Sequence, residues 1–339
     1  MSKENQKITK SKKGKKEGLK SSLLQSFHHC LTMFDGKSNL IATDFLEQQI
    51  AYATMIEDMK TYIFAMLDVA LDEVNWEICG GGMKEGDLEF GSYDFRTNTI
   101  KIFNNLCQCT KPGEQVVVRA IQYFDTLTHE LMHYLDFKEA GSNDSMREWS
   151  CGVREGILQL RKFVPEKNKQ YTSMAKSIYI LAREENLARN AAMVCTTGFI
   201  DEYEKFASSA CENDKKGQKE LKKRISMMKK AVNVNAEYAT KTKIEEARKI
   251  KLKYAEECRK DIYDFSEKLL KGEVVCSDLE AQDINLVLVD IDLYHQEALE
   301  NFYKYAQKKN NKTWQEACLS IKNDQKVLVE KRQNLTKEL

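Results

Sequence analysis

Only two prolines, Pro112 and Pro165, occur in 339 residues. Proline stops helices more strongly than any other residue, because it lacks an N–H and clashes with the preceding turn. With so few of them, and with 31% charged residues, the chain is free to build long helices. Apolar residues at three- and four-residue spacing follow: Leu23, Leu24, Phe27, Leu31 and Phe34, then Phe45 through Leu71. Hydrophobic residues make up 42%, enough for a sizeable core, and the length holds one large domain or two ordinary ones.

One stretch reads differently. After Gly80-Gly81-Gly82 breaks the helical region, residues 88–95 and 99–103 are rich in aromatic and β-branched side chains around a polar turn at Arg96-Thr97-Asn98. That pattern predicts a β-hairpin. It lies just upstream of a helix expected from Gly113-Glu114 to about Lys138, with Gly141 beyond its end. Residues 142–170 read as a polar, mixed region, and Thr172 to about Ala207 as a further long helix. Past Glu212 the composition becomes rich in lysine and glutamate while apolar residues keep helical spacing, as in helical hairpins or a short coiled coil. Two more helices are expected at 280–307 and 313–333.

The helix after the hairpin carries His129-Glu130-Leu131-Met132-His133, in a chain with only five histidines. Residues i and i+4 share a helical face. Two imidazoles there can hold one Zn²⁺, and the carboxylate between them can take a proton from water at the metal. A catalytic zinc needs a third protein ligand and an open vertex. Glu185 is the first candidate. It shares a face with Leu181, Ala188 and Ala192, where a carboxylate is costly without a partner and small neighbours allow close approach. Glu184 lies one position away and is an alternative by rotation. Asp136 is on the histidine face but aimed past the metal, which suits a hydrogen bond to a histidine ring. Glu148 and Glu155 form a third option on the following segment. His28-His29-Cys30 reads as ordinary surface or core, since adjacent helical histidines diverge by about 100°.

The order hairpin, HExxH helix, then a helix bearing Glu185-Asn186-Leu187-Ala188-Arg189 resembles zincin metallopeptidases of the gluzincin type. His129 through Asp136 is similar to HExxHxxD stretches in metallopeptidase domains of large phage and plasmid proteins. The resemblance covers roughly residues 85–207. It implies His129, His133 and Glu185 as zinc ligands, Glu130 as catalytic acid/base, and a hairpin edge that holds the substrate backbone by strand addition. The Glu185–Ala188 motif resembles, more distantly, the ExxAD of HtpX-type proteases, which have membrane helices that this sequence lacks and an aspartate where it has Arg189.

The expected architecture is α+β and predominantly α-helical: a disordered basic tail at 1–20, which holds eight lysines, a zincin-like metallopeptidase domain with a small hairpin or sheet at 21–211, and a charged helical module at 212–339. The expected activity is zinc-dependent peptide-bond hydrolysis with Glu130 as general base. Tyr171, Tyr179 and His295 are available as oxyanion-stabilising groups. The alternative is a non-catalytic helical interaction protein with a structural or degenerate HExxH. The expected partners are a protein or peptide substrate and a protein bound through the C-terminal helices. With a net charge of +1, nucleic acid is an unlikely partner on composition alone. Ten scattered cysteines without a CxxC pair, and no signal-peptide-like or membrane-length apolar run, lead to the expectation of a cytoplasmic protein.

Overall fold

The computed structural model describes residues 3–34, 42–80, 90–108, 116–140, 145–212, 214–236 and 240–337. The chain is predominantly helical with one three-stranded sheet. It divides into two units, Met1–Asp136 with Leu187–Glu237 and Phe137–Asn186 with Tyr238–Leu339. The division therefore falls elsewhere than the expected step at residue 212. The chain leaves the first unit near Asp136 and re-enters it at Leu187. The lysine-rich segment after Glu212 still contributes Leu221, Ile225, Met228 and Val232 to the first core.

The first unit opens with α1 (Lys3–Phe34) and α2 (Ala42–Met66), which pack on each other. Residues 1–20, read from sequence as disordered, are helical from Lys3. Lysine, glutamate and glutamine are good helix formers, and the same helix runs on into the buried Leu23, Phe27 and Leu31. Next come β1 (Asn75–Cys79), β2 (Gly91–Asp94) and β3 (Thr99–Phe103), in the order β1-β3-β2. The expected hairpin is present, with β2 antiparallel to β3; its first residues, 88 and 89, lie outside the described set, as do Gly81 and Gly82. Sequence reasoning missed β1, which pairs parallel with β3. Asn98, at φ 49°, makes the hairpin turn. Its short polar side chain tolerates the left-handed region, accepts from the Tyr93 hydroxyl at 3.0 Å and donates to the Glu73 carbonyl at 2.9 Å.

A short α3 (Asn104–Cys107) leads to α4 (Val116–Ala140). The expected start of that helix, Gly113-Glu114, lies outside the described residues. Ala120, Ile121, Phe124, Leu127 and Leu131 on α4 are fully buried. Phe124 stacks on Phe199 at 4.8 Å and lies 6.5 Å from Tyr62 of α2, while Tyr123 meets Trp76 of β1 at 6.4 Å. The central strand buries Ile100 and Ile102. At Gly91 of β2 an added Cβ would come within 2.8 Å of Thr126 Cγ2 on α4, so a side chain there would push the edge strand off the helix. The unit is completed by α7 (Arg183–Ala210), from Leu187 onward, and α8 (Lys215–Ala236).

Among the described residues the second unit has no strand; its α-helices are α5 (Ser145–Phe163), α6 (Asn168–Leu181), α9 (Lys241–Lys271), α10 (Asp278–Leu286), α11 (Gln296–Lys308) and α12 (Lys312–Lys337). Residues 145–163, read as mixed and polar, form α5. Gly152 and Gly156 hide its period: they sit against Leu286 and the Asp283 carbonyl of α10, where any side chain would collide. Phe265 anchors the core against Phe163 and Phe302. The single helix expected from Thr172 to Ala207 is two helices, broken at Ala182, whose backbone is extended at φ −61°, ψ 129°. Asn186 stabilises the break, its Nδ2 donating to the carbonyls of Ala182 at 2.9 Å and Ile180 at 3.2 Å.

Candidate metal centre

The site is built on two helices. On α4, Thr128 and Leu127 are fully buried, and the Thr128 hydroxyl donates back to the Phe124 carbonyl at 2.8 Å. This fixes the turn from which His129 projects. His129 and His133, both half-buried, cross edge to face with ring centroids 4.6 Å apart and Nε2 atoms 3.0 Å apart. Glu130, between them in sequence, is buried at 6% exposure.

Glu185 enters from α7. The break at Ala182 puts it in that helix's first turn, so the face it shares is that of Ala188, Ala192, Thr196 and Phe199, all buried. Leu181 belongs to the preceding helix, and its expected place on the Glu185 face is corrected by the break. Two contacts tie this face to α4: Thr196 Oγ1 donates to the buried Asp125 carboxylate at 3.1 Å, and Phe199 stacks on Phe124. Walking up α4 from Phe124 through Asp125 to His133 corresponds to walking down α7 from Phe199 through Thr196 to Glu185, so the helices run antiparallel where they meet.

One ligand atom from each of His129, His133 and Glu185 lies within 4.8 Å of the others. Among the described residues this is the one group of three or more histidine, cysteine and acidic side chains so placed. Glu184, Asp136 and Glu155 are described and do not join it. The side chain of Glu148 lies outside the described residues. Two imidazole nitrogens and a carboxylate oxygen are the donor set of a three-ligand catalytic zinc with one vertex open. Zinc–nitrogen bonds in tetrahedral geometry separate two ring nitrogens by ~3.4 Å. The observed 3.0 Å fits one proton shared between the rings, and it fits an ion after an opening of a few tenths of an ångström.

The groups around the centre have mostly structural work. The Tyr134 hydroxyl donates to Glu73 at 2.9 Å and its ring meets Tyr93 of β2 at 6.0 Å, joining the helix to the hairpin. Burial, with the Asp125 carboxylate adding to it, raises the pKa of the Cys195 thiol. Asp125 and Thr196 were not singled out from sequence; the signal was a threonine recurring on the small-residue face of α7. Arg189, four positions after Glu185, is buried. Of the expected oxyanion candidates, Tyr171 is buried and donates to Asp261. His295 caps α11, its Nδ1 accepting from the Ala298 N–H at 3.3 Å. Tyr179 lies 5.0 Å from the Arg154 guanidinium. His28 bonds the Tyr203 hydroxyl at 3.2 Å through Nδ1 and is a packing residue; burial, then Arg224 and His29, hold its pKa below the ordinary histidine value.

No helix among the described residues is long and apolar enough to cross a membrane. No family model matches the chain, and neither a curated protein nor a solved structure was found that matches it.

Proposed function

We propose that this chain is a zinc-dependent metallopeptidase with a zincin-like domain, hydrolysing peptide bonds. The observation that carries the reading is the approach of His129, His133 and Glu185 to within 4.8 Å of one another from two different helices. A chance helical i, i+4 histidine pair has no reason to meet a carboxylate from a helix that begins fifty residues later in the sequence. His129, His133 and Glu185 would hold the ion. When bound, Zn²⁺ supplies Lewis acidity, bringing water toward deprotonation near neutral pH and polarising a carbonyl.

The chain's own groups do the rest. Glu130 accepts a proton as water oxygen bonds to the scissile carbonyl carbon, and delivers it to the amine nitrogen as the C–N bond breaks. Its burial keeps the carboxylate away from bulk water, next in sequence to the first ring ligand. β2 lies at one edge of the sheet, against the metal helix at Gly91. An extended peptide would pair along its outer edge through backbone hydrogen bonds.

The test is the Glu130→Gln protein. It should keep about one zinc per chain and lose peptide cleavage by ~10²–10⁴-fold. Cleavage at the wild-type rate refutes the mechanism. A second reading, a non-catalytic helical scaffold, draws on the 3.0 Å His129–His133 separation, which a shared proton also explains. Purified protein that folds normally and takes up no zinc would favour it.

A further inference from the structure

Whole-chain composition conceals a concentration of charge on α8. Its 22 residues carry seven lysines and one arginine against a single acid, Glu220, a net of +7 on one helix in a chain of net +1. For comparison, α9 carries ten basic residues over 31, but seven acidic ones among them. The lysines of α8 are also sorted by face. Leu221, Ile225, Met228 and Val232 are buried in the first core, and Arg224 is buried with them. Every lysine on the helix is exposed, and the helical repeat puts them all within one solvent-facing stripe. Lys223 pairs with Glu220 at 3.9 Å, and Lys229 with Asp201 and Glu204 of α7 at 3.5 and 3.3 Å. Lys215, Lys216, Lys219, Lys222 and Lys230 make no ion pair among the described residues.

We propose that this stripe binds the phosphate backbone of a nucleic-acid duplex without regard to sequence. From Lys215 to Lys230 it spans ~22 Å at 1.5 Å per residue. One strand of a duplex sets roughly six phosphates along that length, which matches five uncommitted lysines. The occupant is read from the shape and chemistry of the face. No aromatic side chain interrupts it, so there is no platform for stacking bases. The one arginine of α8 is buried, so no guanidinium reads base edges. Charge alone remains, and charge alone contacts backbone. An anionic bilayer is the competing surface and fits less well. A membrane-bound helix turns its apolar face to the lipid, whereas that face of α8 is in the core. A plane of negative charge would also meet Asp201 and Glu204 on the flank, while a linear polyanion can lie along the lysines and pass beside them. This inference is independent of the metal centre and of any catalytic activity.

The experiment uses the full chain and a fluorescent DNA duplex of about 20 base pairs, with anisotropy read as salt is varied. Affinity should fall by several hundred-fold between about 50 and 200 mM salt, a log–log slope of about −4. The quadruple variant Lys215→Glu, Lys219→Glu, Lys222→Glu, Lys230→Glu should bind at least ~100-fold more weakly, with an unchanged circular dichroism spectrum. A charge-matched variant on α9, Lys249→Glu, Lys253→Glu, Lys260→Glu, Lys268→Glu, should bind like wild type. The proposal is overturned if the α8 variant retains binding, if the α9 variant loses as much, or if phosphatidylserine vesicles bind the protein while the duplex does not.

Discussion

In the second unit, buried charge is met by its opposite. Lys167 Nζ lies 2.6 Å from Asp261 and 2.9 Å from Glu257, and the buried Tyr171 hydroxyl donates to the same Asp261 carboxylate. Burial, Cys258 and the acidic neighbours raise the Tyr171 pKa far above the ordinary phenol range, so it stays a proton donor. In the candidate metal centre, the grouped atoms from α4 and the first turn of α7 are two imidazole nitrogens and a carboxylate oxygen, a set of ligands that would suit a metal. A cluster that pairs donor with acceptor and cation with anion closes on itself and is a strut. A cluster of like ligands is the form a protein uses for an ion brought from outside. The donor set, more than the HExxH pattern alone, separates the candidate site from the other polar clusters among the described residues.

The sharpest way to break that contrast is to cut each cluster in turn. Asp261→Ala should destabilise the protein by about 1–3 kcal/mol, because it leaves the buried Tyr171 hydroxyl without this acceptor and Lys167 with Glu257 alone. Zinc uptake should be unchanged, measured by metal analysis alongside denaturant unfolding. Glu185→Gln should do the reverse. Zinc affinity should drop more than ~100-fold, beyond the loss expected of an outer partner, while the melting temperature of the metal-free protein barely moves. Glu184→Gln is the matched control and should leave affinity intact. If Glu185→Gln binds zinc like wild type, the third ligand has been misidentified.

What sequence reasoning could and could not reach follows the same line. The histidine pair was legible because a helix fixes i, i+4 geometry locally. The hairpin was legible because Tyr93, Phe95, Ile100 and Ile102 bracket a polar turn. β1 was hidden: five residues with Asn75, Glu77 and Ile78 exposed carry no alternation, and a parallel partner leaves no turn signal. The break at Ala182 was hidden as well, since alanine and arginine are strong helix formers and no proline or glycine marks the stop. It is held by the Asn186 side chain folding back on the end of α6, a local bond that no period reveals. Glu185 was therefore chosen for a face it only partly has. Ala188 and Ala192 do share it, and Leu181 does not.

A smaller effect sharpens how the candidate metal centre is held. Thr196→Val removes the hydroxyl that donates to Asp125 and keeps the shape of the side chain. The cost should be ~1–2 kcal/mol, the range for a buried acceptor that loses a donor. Because that bond sets α7 against α4 along the line leading to Glu185, zinc affinity should fall with stability. A variant that loses stability but keeps full affinity would mean that Glu185 is positioned by its own first turn and not by the helix pairing.

The smallest effect expected lies at the start of α10, where the second unit's self-contained polar chemistry is most exposed to test. Ser277 Oγ accepts from the Glu280 N–H at 3.2 Å, Glu280 Oε2 accepts from the Ser277 N–H at 3.0 Å, and Lys162 Nζ reaches Glu280 Oε1 at 2.7 Å. The Lys162 bond first, and the Ser277 backbone N–H second, hold the Glu280 carboxyl at about 2 against an ordinary value of 4.5. A depressed carboxyl contributes stability that is fully present above its unfolded value and is lost as pH falls toward its folded one. Glu280→Gln should therefore flatten the acid limb of the stability curve between pH 4.5 and about 2. Ser277→Ala should cost about 1 kcal/mol at neutral pH through the lost helix cap. Neither change should depend on added zinc, since the Ser277, Glu280 and Lys162 contacts are complete without an ion. Acid limbs that run parallel in wild type and Glu280→Gln would show that Lys162 and Ser277 do not hold this carboxylate in solution.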